Sequence, residues 1–402
     1  MNPRQHSTGG HRTPDSSLLF FIGILLASLN LRPALTAVGP LMGNIRQDYH
    51  LSHWSAGLIT SLPLLVFFLI SPFVPRLSHR LTNGGTMIIG LFFLFSGIGL
   101  RSFFPAPFWL YLGTLFVGLG IGICNVLLPG LVKDRFPHQV GPVTSAYSTV
   151  MGIFASLASG ISVPLASRWG LGWRGSLGLW AVPALVAFLL WLFLERKNRN
   201  IEKRIESNWP KGNRMWKSAL AWQVALFFGF QSLLFYVTVT WLPEMLVAKG
   251  YSLSAAGWLL SLLQIIGLPA SFIVPLLAGR VRSQSRIGGA LGIFMAAGFA
   301  GLFVTNHHGM IFLSLLAIGV PLNGSFSLGL TLLALRSKDG HDANLLSGMV
   351  QSFGYLVSAV GPILFGSLYD VTGNWNLPYW LLIGTSLLVS FFGWRAGRDQ
   401  YV

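Results

Sequence analysis

RKNRNIEKRIESNWPKGNRMW, residues 196–216, is the longest hydrophilic run in a chain of 402 residues that is 53% hydrophobic and only 9% charged. Soluble domains carry about 25% charged residues, so this composition is that of a membrane protein. Outward from the run, the chain divides into apolar segments on either side. Those before it are 17–45, 54–75, 85–103, 108–132, 142–166 and 175–195. Those after it are 217–248, 254–279, 287–305, 309–335, 344–369 and 377–394. Each is near the roughly 20 residues that a helix needs to cross a bilayer. Backbone in lipid must satisfy its own hydrogen bonds, and runs this long exclude barrel strands. The expected fold is therefore an all-α integral membrane protein of 12 transmembrane helices in two six-helix halves. The expected divisions are a disordered cytoplasmic tail over 1–16, a first half over 17–195, a linker over 196–216, a second half over 217–395 and a tail over 396–402.

The bases set the orientation, because lysine and arginine accumulate in cytoplasmic loops. With both termini in the cytoplasm, only Arg46, Arg101, Arg168, Arg174 and Lys249 fall in outside loops, Arg32 falls within a span, and the rest of the 27 are cytoplasmic. The net charge of +16 thus lies in short clusters between spans, not on one basic face, and a nucleic-acid partner is not expected. The halves repeat weakly. Gly57, Ser61, Leu62, Pro75 and Arg80 recur as Gly257, Ser261, Leu262, Pro275 and Arg280; Ser145, Gly152 and Trp173 recur as Ser347, Gly354 and Trp375. A near-constant offset indicates duplication. Two parallel six-helix halves are the plan of the major facilitator transporters, with the substrate site between the halves near mid-membrane.

Within the first span, Leu29-Asn30-Leu31-Arg32-Pro33 places a cation where lipid should meet no charge. The acidic residues and histidines all fall in loops or at span ends, so Arg32 reads as the only ionisable group deep in a span, tyrosines aside. It lies about 20 Å along the helix from either end, too far for its side chain to reach water through lipid. Two readings follow. In one, the planar guanidinium binds a substrate anion of carboxylate, nitrate or cyanate type. In the other, Arg32 is structural and donates to side-chain amides or to carbonyls exposed near Pro33, whose missing N–H frees a carbonyl one turn earlier. With no acid or histidine in the core, a proton relay has no carrier there, and uniport or anion exchange is at least as well supported as proton coupling.

Uncharged polar residues lie at similar depth. Asn30, Thr36, Asn125, Tyr147, Gln231, Tyr236, Gln264, Asn323, Gln351 and Tyr355 are candidates to line a polar cavity, with Trp241, Phe235 and Tyr236 as an aromatic wall. Each can instead form an interhelical hydrogen bond. Gly118-Leu119-Gly120-Ile121-Gly122 is mid-span, with no preceding strand and no Lys-Ser/Thr after it, so it reads as a close helix contact and not a phosphate loop. Prolines such as Pro63, Pro72, Pro129, Pro243, Pro269, Pro321 and Pro362 are expected to bend or interrupt spans. On the inner side Arg76, Arg80, Asp134, Arg135, Arg336 and Asp339 are candidate gate residues, with Asp134 and Asp339 pairing to nearby arginines; the alternative is a set of solvated anchors at lipid headgroups. Cys124 is the single cysteine, and no His-Glu-x-x-His or buried nucleophile–base pair is present, so no metal, no cofactor and no enzyme activity are expected.

The run Leu29–Thr36 followed by Gly39-Pro40-Leu41 resembles the first-helix motif of the cyanate/2-nitroimidazole transporter family of the major facilitator superfamily. The resemblance continues through Asn125–Lys133, Phe136-Pro137-His138, Ala146-Tyr147-Ser148, Trp222-Gln223-Val224 and Trp241-Leu242-Pro243. It extends to Leu346–Met349, Gly373-Asn374-Trp375 and Ala396–Asp399, and is closer to the nitroimidazole branch. It implies a bacterial inner-membrane carrier, working as a single chain by alternating access, for a cyanate-, carboxylate- or nitroimidazole-like solute. Arg32 would be the central substrate-binding cation, with Asn125 and Tyr147 contributing. The alternative is an efflux carrier for drug-like or nitroaromatic compounds in which Arg32 is structural. One departure from the wider superfamily is that the loop from Pro75 to Gly85 contains no aspartate, so the usual inner charge lock is in question.

Overall fold

Residues 31 and 32 interrupt the first membrane helix. In the computed structural model, which describes residues 14–51, 53–202 and 214–402, the helices Pro14–Asn30, Pro33–Thr36 and Val38–Tyr49 follow in series through one span. Pro33 brings no N–H to the ladder and disfavours helical backbone at the residue before it, so the break falls at Arg32. Residues 1–13 and 203–213, which hold most of the expected tail and linker, lie outside the described residues. The helix Ala181–Glu202 runs several residues into the hydrophilic run.

Among the described residues, eleven helical stretches are long and apolar enough to cross a bilayer: Ser17–Met42, Asn83–Phe103, Pro107–Arg135, Val140–Arg168, Gly172–Arg196, Ala219–Val247, Ala255–Arg280, Ser285–Val304, His308–Leu335, Gly340–Tyr369 and Asn376–Ala396. Leu58–Ile70 and Val74–Leu81 pass the same test together across a 61° bend. Pro72 sits at that bend, as expected of a residue that cannot continue the ladder. Taken as one span, the pair is second in chain order and brings the total to twelve, numbered 1 to 12 below. Glycines set the closest packing within a half. A Cβ on Gly120 would lie 2.6 Å from the Gly90 carbonyl oxygen of span 3, and one on Gly118 would meet Pro63 and Val66 of span 2. The small-residue run is therefore a contact seam.

The two halves are joined on their cytoplasmic side, along two seams related by the internal repeat. In the first, Ser148 Oγ of span 5 donates to the Ser271 carbonyl of span 8 at 3.0 Å and Ser145 Oγ donates to the Phe272 carbonyl. In the second, Ser352 Oγ of span 11 donates to the Phe68 carbonyl of span 2 at 2.9 Å. Gln351 Nε2 adds a 3.0 Å bond to the Asn125 carbonyl of span 4. Below these seams, Asn344 Nδ2 donates to Asn83 Oδ1 at 2.7 Å, and the Gly340 N–H at the start of span 11 donates to Asp134 Oδ1 at the end of span 4, also at 2.7 Å. Odd spans run outward and even spans inward, so all these bonds lie toward the cytoplasm. The conformation is closed inside.

The candidate gate residues make the following contacts. Asp134 acts as a cross-half cap on the N-terminus of span 11, where an anion is favoured by the helix dipole and by the free N–H groups. Asp339 caps its own helix, accepting from the Asp342 N–H at 2.8 Å. Arg336 is buried and turned into the second half, where it donates to Gln284 and to the Gly397 carbonyl and lies 3.8 Å from Asp399. It thereby anchors the segment after span 12. Burial pulls its guanidinium below the ordinary arginine value, with Asp399 opposing. The Arg135 guanidinium lies 4.5 Å from the centroid of the Phe20 ring in its own half, Arg76 lies 5.9 Å from that of Phe73, and Arg80 is exposed. Loss of the cross-half cap in Asp134→Ala is expected to cost the inward-closed state about 0.5–1.5 kcal/mol, a roughly two- to tenfold shift toward the inward-open state. Cysteine accessibility on the cytoplasmic face reads this shift.

Candidate functional site

Above the seams the halves part around a cavity of about 60 Å³, measured as room for the centres of water-sized molecules. About 10–15 Å³ on that measure holds one water, so the space suits a solute of a few heavy atoms. Its walls are single faces of helices. Span 1 supplies Arg32 and Thr36, one turn apart. Span 5 supplies Ser148, Met151, Gly152, Ala155 and Ser156, a stripe at helical spacing. From the second half come Gln231, Ser232, Phe235 and Tyr236 of span 7, then Gln264, Leu268 and Ser271 of span 8. Leu322, Asn323 and Phe326 of span 10 and Tyr355 of span 11 complete it.

Arg32 is the one charged residue in this lining. Its guanidinium carbon lies 4.6 Å from the centroid of the Phe326 ring and 5.7 Å from that of Phe235, so two ring faces of the second half cover a cation of the first. Among the described residues, its side chain has no hydrogen bond or ion pair to protein. The Arg32 carbonyl accepts from the Leu35 and Thr36 N–H groups, and the side chain lines the cavity.

Neighbouring groups hold the backbone around Arg32 in place. Asn30 Nδ2 donates to the Leu26 carbonyl at 2.7 Å and the Pro183 carbonyl of span 6 at 3.2 Å. Thr36 Oγ1 donates to the Ala155 carbonyl of span 5 at 3.0 Å. Arg101, expected in an outside loop, is instead buried in the last turn of span 3, and its Nη1 donates to the Ala34 carbonyl at 2.8 Å. Arg32 is therefore not the only arginine buried in a span: Arg101 is buried as well, against the segment that follows the break in span 1. Sequence placed it in water because it sits at the end of an apolar run, where snorkelling is the usual outcome.

Of the candidate lining residues, the structure brings Arg32, Thr36, Gln231, Tyr236, Gln264, Asn323 and Tyr355 together. It turns five elsewhere. Asn30 is committed to carbonyls, as above. Asn125 is buried, with its carbonyl engaged by Gln351, and Gln351 is itself spent on that bond and on Ser347 Oγ at 2.8 Å. Tyr147 is fully buried. Trp241 Nε1 donates to the Pro362 carbonyl at 2.8 Å. Span 4 thus closes the inner seam and does not face the cavity. Phe326 was not singled out, although it stands three residues from Asn323 and so on the same helix face. The Ser148 to Ser156 stripe was equally legible at that spacing.

A sequence model described as the Major Facilitator Superfamily matches residues 20–341. The chain belongs to the major facilitator superfamily. An uncharacterized transporter of Bacillus subtilis, YycB, is 42% identical over 395 residues, covering 98% of this chain and 96% of its own. The 2-nitroimidazole transporter of Escherichia coli is 39% identical, covering 96% of this chain and 97% of its own. The cyanate transport protein CynX of the same organism is 26% identical over 89% and 91% of the two chains. Among solved structures, the proton:xylose symporter XylE superposes with a TM-score of 0.78 at 15% identity, covering 96% of this chain and 98% of that one, which speaks to fold alone. The resemblance to the cyanate and nitroimidazole family, and the greater likeness to its nitroimidazole branch, agree with these identities. This major facilitator protein is a multi-pass membrane transporter.

Proposed function

We propose that this transporter carries a small planar anion, of carboxylate, cyanate or nitrate type, across the bacterial inner membrane by alternating access, with Arg32 as the substrate-binding cation. One observation carries the reading: Arg32 projects into the cavity with its hydrogen-bond donors unspent on protein. A fork of five N–H donors with no partner in a low-dielectric site favours a ligand that is anionic and planar. The hydroxyls of Tyr236 and Tyr355 and the amide of Gln264 also make no described hydrogen bond to protein, and the buried Gln231 Oε1 has no partner. These groups can orient the solute while Phe235 and Phe326 close over it. A single chain holds every group this reading uses.

A second reading has support from the relatives and the lining. Phe235, Phe326 and Tyr355 suit a small polar heterocycle such as a nitroimidazole, and the 2-nitroimidazole transporter is 39% identical to this chain. Uptake into proteoliposomes separates the two. On the anion reading, cyanate, formate and nitrate compete for one saturable site more strongly than 2-nitroimidazole or imidazole do. Stronger competition by the neutral heterocycles would overturn the anion reading and support the second.

A further inference from the structure

Resting on the reading of the cavity as an anion site, we infer that the transporter is an obligatory monoanion exchanger: it takes a second, cytoplasmic monoanion as counter-substrate and does not return empty. The argument starts from what neutralises Arg32. Among the described residues, the cavity lining contains no aspartate, glutamate or histidine. The ring centroids of Phe326 and Phe235 lie 4.6 and 5.7 Å from the guanidinium carbon, and these rings carry no formal charge and leave its N–H donors unbonded.

Arg32 and its covering rings belong to opposite halves. Arg32 is tied into the first half by the bonds at Asn30, Ala34 and Thr36, and Phe235 and Phe326 move with the second. When the halves rock, the cavity must pass through an occluded state from which most water is expelled. A lone cation in that state has lost its hydration without gaining a counter-charge, and unpaired buried charge is heavily penalised. One monoanion cancels the charge and fills the donors. Loaded carrier therefore crosses and empty carrier stalls. Each half-cycle moves a neutral complex, so one monoanion leaves for each that enters and no net charge crosses the membrane. A dianion would leave the site with net negative charge and should serve poorly.

The test uses the purified full chain in proteoliposomes, with radiolabelled formate and cyanate as probes. Vesicles are loaded with unlabelled probe or with potassium sulfate alone. Uptake into probe-loaded vesicles is expected to exceed uptake into sulfate-loaded vesicles by at least about tenfold, and a potassium diffusion potential set with valinomycin should not change the exchange rate. A conformational readout accompanies it. Spin-label distances across the two mouths should show slow inward–outward interconversion without probe and faster interconversion with formate, whereas Arg32→Gln should interconvert independently of formate. Equal uptake into both vesicle types, or exchange driven by the potential, would overturn the inference while leaving Arg32 as an anion site. If neither probe is transported and the Arg32→Gln variant behaves as wild type, the anion reading beneath it falls as well.

Discussion

Arg32→Ala is expected to lower kcat/KM for a transported monoanion by about 30-fold to several thousand-fold, the equivalent of the roughly 2–5 kcal/mol lost when one partner of a buried, hydrogen-bonded charge pair is truncated. The size of the effect follows from the lining. Among the described residues no other cation faces the cavity, so nothing there can substitute for the lost charge, and the bound anion would be left desolvated and unpaired. Arg32→Lys keeps the charge but loses the planar fork and much of the contact with Phe326 and Phe235. It should fall between wild type and alanine, about 2- to 30-fold down on the strength of the ring contacts alone. Initial uptake rates in proteoliposomes of matched protein content measure both. Anion kinetics in Arg32→Ala equal to wild type would return Arg32 to a structural role.

The second large effect belongs to a glycine on the inner seam. Gly141, at the cytoplasmic end of span 5, lies against span 8 so closely that a Cβ would sit 2.6 Å from the Pro275 carbonyl oxygen and 2.9 Å from Gly279 Cα. Both are backbone atoms and cannot swing aside. The nearest neighbours of that Cβ are all in the other half, so a larger side chain strains the closed seam and not the packing within a half. Overpacking typically costs about 1–3 kcal/mol. Gly141→Ala should therefore move the equilibrium toward the inward-open state about fivefold or more, and Gly141→Leu by roughly 100-fold. The leucine variant should bind solute from the cytoplasmic side, label readily at cytoplasmic cysteines and give almost no transport. Cys124 is the only cysteine in the chain and is buried, so single reporter cysteines can be introduced without first removing others. Wild-type transport by Gly141→Leu would show that the seam opens by another route.

The spans themselves were largely legible because lipid imposes one rule on every one of them. An apolar run of about 20 residues must close its hydrogen bonds locally, so helix follows from length and composition with little need of tertiary context. The break at Arg32 was legible for a similar reason, since Pro33 acts on its own neighbours. What composition does not reveal is the direction in which a polar side chain leaves its helix. Asn30 and Asn323 looked alike as mid-span amides. Asn30 is spent on the carbonyls of Leu26 and Pro183, whereas Asn323, bonded to its own helix at Gly319, still lines the cavity.

The sequence by itself determined the membrane-embedded helices, their orientation, the two repeated halves and the depth of Arg32, because each depends on local chemistry or on the count of charges per loop. Tertiary structure decided the rest. It showed that Arg32 faces the cavity between two phenyl rings, that Arg101 is buried against the segment after the break in span 1, and that Asp134 closes the inner side on the N-terminus of span 11. All three depend on which helix lies beside which. That arrangement is set by backbone approach at glycines such as Gly120 and Gly141, between residues far apart in the chain, where neither apolar runs nor charge counts carry information.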